Sequence, residues 1–93
     1  EPLVVFVHSG HPWASRETLR IEELEDQDVI LREPGSTTRR AFEKALKKTG
    51  VTIRPVMEIG SREAVWMAVA RGLGIGVVSN LEFMPHPDLR KLS

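Results

Sequence analysis

A chain of 93 residues has room for one core and no second domain, and 41% apolar with 28% charged residues marks it as folded. Thirteen basic and thirteen acidic side chains cancel, which removes any general attraction to nucleic acid or to an anionic membrane. The lack of cysteine excludes disulfides and thiolate metal sites, and it fits a reducing, cytoplasmic setting.

Leu3-Val4-Val5-Phe6-Val7 is apolar without a break, as a strand covered on both faces reads, and Ser9-Gly10-His11-Pro12 stops it with turn residues. Residues 21 to 26 predict a short acidic helix that buries Ile21 and Leu24. Val29-Ile30-Leu31 reads as a second buried strand, ended by Glu33-Pro34-Gly35-Ser36. From Thr37 to Thr49 the spacing turns helical: Ala41, Phe42, Ala45 and Leu46 form an apolar stripe, while Arg39, Arg40, Glu43, Lys44, Lys47 and Lys48 supply the wet face. Ser36 stands where a cap is needed and Gly50 where a terminator is needed; the late lysines suit the helix dipole. A third strand is expected from Pro55 to Ile59. Gly60-Ser61 then opens a second helix, with Ser61 as cap, Glu63 in its first turn, and Val65, Ala68 and Val69 facing inward. Gly72-Leu73-Gly74 closes it, Ile75-Gly76-Val77-Val78 is another buried strand, and the polar exit from Asn80 carries a last strand near Leu89 to Leu92. This alternation predicts an α/β fold, a mostly parallel sheet flanked by helices.

Open α/β sheets bind ligands beyond the carboxyl ends of their strands, where helices begin. Two such junctions stand out: Glu33-Pro34-Gly35-Ser36-Thr37-Thr38 and Glu58-Ile59-Gly60-Ser61-Arg62. Each sets a glycine and a hydroxyl side chain at a helix start, where free N–H groups and the positive dipole end favour a carboxylate, phosphate or sulfate. Gly35 allows close approach to the main chain, and the Ser36, Thr37 and Thr38 hydroxyls can turn to match a guest's lone pairs. Either serine alone reads as a helix cap. Two such junctions on one sheet edge read as a site.

Other features carry less. Gly72-Leu73-Gly74-Ile75-Gly76 lacks the dinucleotide-binding glycine spacing and runs from helix into strand, the reverse of what cradling a pyrophosphate requires. His8 and His11, with His86 far away and no cysteine, do not make a metal set, and no cofactor is expected. No serine-hydrolase elbow is present, so no catalytic residue is assigned. Glu33 and Glu58 could pair as acid and base, although in an acidic chain they read first as solvated or capping groups. Trp13, Trp66 and Met67 could line a pocket, although they read first as partial core or as a partner surface. No apolar run approaches a bilayer span, so no membrane partner is expected. The opening Glu1-Pro2 shows neither a signal peptide nor an initiator methionine, and the chain is expected to be a piece of a longer protein.

The segments Glu33-Pro34-Gly35-Ser36-Thr37-Thr38-Arg39 and Glu58-Ile59-Gly60-Ser61, the run Ala68 to Val78, and the turn His11-Pro12-Trp13-Ala14 together resemble the distal lobe of the effector-binding domain of LysR-type transcriptional regulators. Trp13 departs from that pattern, which has leucine there. The resemblance covers nearly the whole chain, in order and in register. It implies one lobe, residues 1–93, of a fold like that of type 2 periplasmic binding proteins, with Leu3 and Leu92 brought together at the hinge. It also implies a second lobe and a DNA-binding winged helix-turn-helix elsewhere in the full protein, which would contact DNA only through that domain. A small anionic effector of carboxylate, sulfate or phosphonate type would bind between the lobes, lined here by Pro34, Gly35, Ser36, Thr37 and Thr38 and, less firmly, by Gly60 and Ser61. A homo-oligomer is implied too. The rival readings are a lobe of a solute-binding transport protein, and an α/β enzyme using Glu33 or Glu58.

Overall fold

A computed structural model describes residues 2–93. In chain order it contains β1 (Leu3–His8), a single 3-10 turn (Ile21–Leu24), β2 (Asp28–Arg32), α1 (Thr37–Thr49), β3 (Arg54–Ile59), α2 (Arg62–Ala70), β4 (Gly76–Ser79) and β5 (Leu89–Leu92). Among the described residues no helix is long and apolar enough to cross a membrane.

The strands form one continuous surface. β2 pairs with β3 in parallel, and β1 pairs with β4 on one side and β5 on the other, both antiparallel. Ile75, just before β4, joins the two sets: its N–H donates to the Asp28 carbonyl and its carbonyl accepts from Ile30 N–H, each at 2.9 Å, in a parallel bridge. The spatial order is therefore β3-β2-β4-β1-β5. Parallel pairing holds for β2 with β3 and for the bridge to Ile75, whereas β1 runs against both its neighbours. No helix connects β4 to β5. That connection is the irregular stretch of residues 80–88, which turns the chain back along the sheet.

Alternate residues of the same strand serve different cores, which is why the strands read as unbroken apolar runs. Val5, Val7, Val29, Leu31, Val77 and Leu92 pack with Leu24 and with Phe42 of α1. Val4, Phe6, Ile30, Val78 and Leu89 pack on the opposite face with Val65, Ala68 and Val69 of α2. Among the described residues no polar or charged residue is fully buried. In β1, Phe6 sits in register with Gly76, and a Cβ on Gly76 would lie 2.3 Å from the Phe6 ring. The glycine is the space into which the ring fits.

Two expectations change in detail. The acidic segment forms only a 3-10 turn, ended by Asp26 with a positive φ of 62°; Leu24 is buried and Ile21 only half-buried. In α1 the inward residues are Phe42, Ala45 and Leu46, with Thr38 above them, and Ala41 is exposed. The third strand is found where expected; it is an edge, and Val56 and Met57 lie in the open at 41% and 40% exposure, because none of the described residues covers its outer side.

Candidate functional site

Both junctions lie on one edge of the sheet. β2 and β3 run parallel with Arg32 opposite Ile59, so the turns that follow them leave from adjacent positions. Val29 bridges Ile75 in parallel, so β4 points the same way, and Leu3 at the start of β1 pairs with Ser79 at its end. Leu92 pairs with Val5. The entry and exit strands thus meet the rim on which both long helices begin, and Leu3 and Leu92 come together as expected.

At the start of α1, Gly35 takes a positive φ of 95°, with open space where a side chain would stand. The Ser36 hydroxyl accepts from Arg39 N–H at 3.1 Å, and its carbonyl accepts from Arg40 N–H at 2.9 Å. These bonds leave the Thr37 and Thr38 N–H groups as the donors of the first turn with no acceptor in the helix. Pro34, Gly35 and Thr37 are exposed, while Ser36 and Thr38 are half-buried.

The start of α2 is built alike but is less free. The Ser61 hydroxyl accepts from Ala64 N–H at 3.3 Å and donates to the Glu63 carboxylate at 3.3 Å. The Glu63 carboxyl is held below its usual range by its own main-chain N–H first and by the Ser61 hydroxyl second. A negative group already stands there, and Ser61 has its hydrogen bonds satisfied within the helix start. Gly60 and Ser61 are exposed.

One side chain that was not singled out in the sequence ties the two starts together. Glu82, beyond β4, accepts from the Thr38 hydroxyl at 3.4 Å and from Arg62 Nη1 at 3.3 Å. Thr38, Arg62 and Arg32 line one small recess floored by Phe6, Val65, Val77 and Val78. Arg62 closes the second junction and Arg32 precedes the first, but the sequence gives neither arginine a role of its own. Glu82 had no local signal, because its position depends on how residues 80–88 fold back.

Glu33 and Glu58 do not face each other as an acid/base pair. Arg32 Nε donates to Glu33 at 2.9 Å and, with the residue's own N–H, holds that carboxyl below its usual range. Glu58 accepts from Arg39, whose guanidinium also donates to Glu43 and to the Arg32 carbonyl. Each glutamate is paired with its own arginine, and the lowering at Glu33 runs opposite to what a base poised near neutrality needs. The histidines are likewise occupied. Nδ1 of His8, His11 and His86 accepts from the N–H of Gly10, Trp13 and Asp88 respectively, so each neutral ring carries its proton on Nε2 and offers no lone pair there to a metal. Among the described residues no cluster of three or more metal-ligating side chains occurs.

The family described as the LysR substrate binding domain matches residues 1–93. Among curated relatives, a RuBisCO operon transcriptional regulator of Acidithiobacillus ferrooxidans is 47% identical over 78 residues, covering 84% of this chain and 25% of that protein. The HTH-type transcriptional activator CmpR of Synechocystis is 38% identical over 78 residues, 84% of this chain and 26% of its own length. This chain spans about a quarter of the length of these relatives. Among solved structures, the regulatory domain of Synechocystis CcmR in complex with 2-PG aligns with a TM-score of 0.86 and 34% identity, over 99% of this chain and 47% of that one. The effector-binding domain of QuiR in complex with shikimate has a TM-score of 0.88 at 20% identity, over 98% and 44% respectively, which is a likeness of fold alone.

Proposed function

As the chain belongs to the LysR substrate-binding domain family, we infer that residues 1–93 are its distal lobe and that the shared rim of α1 and α2 holds a small anionic effector against a second lobe. The observation that carries this is the meeting of Thr38 and Arg62 on one carboxylate. Two helix starts, the free N–H groups of α1 and two guanidiniums converge where a negative guest gains most. The 2-PG bound by the CcmR domain, 34% identical to this chain, supports a guest of that charge. The pocket on this side is Pro34, Gly35, Ser36, Thr37 and Thr38, with Arg32 and Arg62. Gly60 and Ser61 contribute less, because Glu63 and the cap bonds already satisfy that helix start.

The role is sensing and not catalysis. Both candidate carboxylates are bound to arginines, and the relatives named above are transcriptional regulators. An effector that bridges the lobes binds the closed arrangement more tightly and shifts the equilibrium by that difference alone. DNA contact and assembly into a homo-oligomer then belong to the full protein; the uncovered β3 edge with Val56 and Met57 fits the latter.

Titration calorimetry with 2-PG tests the reading. The 93-residue chain holds half the contacts and should bind weakly or below detection. The full-length protein should bind measurably, and Thr38→Ala should lower that affinity roughly tenfold while Lys48→Ala leaves it unchanged. Micromolar binding by the lobe alone, or equal effects of the two substitutions, would count against it.

A further inference from the structure

Beyond that reading, and resting on it, we propose that Glu82 is a built-in occupant of the effector's place: its carboxylate sits where the guest's anionic group would bind and must leave before the guest can enter. Glu82 Oε1 accepts from Thr38 in the first turn of α1, and Oε2 accepts from Arg62, the first residue of α2. No other carboxylate in the chain bridges the two helix starts among the described residues. The side chain therefore makes the same kind of contacts, a hydroxyl and a guanidinium at positive helix ends, that favour an anion there.

The contact is built to be released. Both bonds are long for charged partners, at 3.4 and 3.3 Å, and the Glu82 and Arg62 side chains remain 44% and 42% exposed. The main chain beneath Glu82 is anchored without that side chain. Its N–H donates to the Ser79 carbonyl at 2.9 Å, and Leu81 N–H donates to the Ser79 hydroxyl. The carboxylate can swing into water while the turn stays in place. Because it is tethered, it competes at a high effective concentration that no dilution lowers. Displacing it frees Arg62, whose guanidinium lies 5.4 Å from the centre of the Trp66 ring. Glu82 thus sets the concentration at which the sensor responds without adding any contact to the effector.

The test is an amide-resolved NMR titration of the 93-residue chain with inorganic phosphate, which follows Thr37 and Thr38 and reads even millimolar binding. In Glu82→Gln and in Glu82→Ala the midpoint should fall roughly two- to fivefold, the range an exposed ion pair can supply, with the thermal transition little changed. Sulfate should show the same factor, since a competitor inside the chain penalises every anion alike. An unchanged or raised midpoint in both variants, with Thr37 and Thr38 still responding, would overturn the role of Glu82 and leave the rim standing as a site. Silence at Thr37 and Thr38 in the wild-type chain and in both variants would overturn the rim and this role together.

Discussion

Gly76 and Phe6 show how a single side-chain choice sets the packing at the centre of the sheet. The ring fills the volume that any β-carbon on residue 76 would claim, at 2.3 Å, and both neighbours are buried. Gly76→Ala should cost about 1–3 kcal/mol by overpacking, a fall of several degrees in melting temperature for a domain of this size; a variant as stable as the parent would show that the ring can move aside. Two ionisable residues tie stability to acid. Arg16 donates twice to Glu23, at 2.6 and 2.8 Å, and with Arg20 N–H holds its carboxyl at about 2. A carboxyl lowered in the fold contributes stability above its ordinary range, and the contribution is lost as pH falls through the folded value. His11 is lowered from 6.5, by burial first and by His8 second, so protonation is disfavoured in the fold and stability declines as pH drops below that value. His11→Asn, which keeps an acceptor for Trp13 N–H, should flatten the mildly acidic part of the melting-temperature profile. Glu23→Gln should flatten the strongly acidic part. Profiles that match the wild type would refute both assignments.

Element by element, the signals that survived are those with a local cause. Ser36, Gly50 and Ser61 cap and terminate as read from their neighbours alone; Gly50 takes φ 75° and Ser61 accepts from Ala64. Strands buried on both faces announced themselves by continuous apolar runs. What did not show was which of two adjacent apolar residues a helix turns inward. Phe42 is 3% exposed while Ala41 faces water, because α1 is rotated so that Thr38 and Leu46 share the inner side. Phe42→Ala should cost about 3–5 kcal/mol, and Ala41→Lys should be close to neutral. Chemical denaturation that found comparable losses would contradict the rotation. β3 was read as a strand correctly, but its exposure depends on what lies beyond the sheet edge, which no residue within it states.

For the whole molecule, the antiparallel course of β1 brings chain entry, chain exit and both helix starts to one rim. Two glycine and hydroxyl junctions after consecutive strands were enough to place the α1 and α2 starts there from the sequence. The arginines beside them were visible but unmarked, and Glu82 was hidden, since only the return of residues 80–88 delivers it. If one guest spans both helix starts, its contacts to them cannot be independent. The most direct measurement is a double-mutant cycle for 2-PG binding by the full-length protein, with Thr38→Ala and Arg62→Ala separately and together. A shared rim predicts a coupling of at least about 0.5 kcal/mol. Strictly additive losses, or wild-type affinity in the double variant, would contradict it.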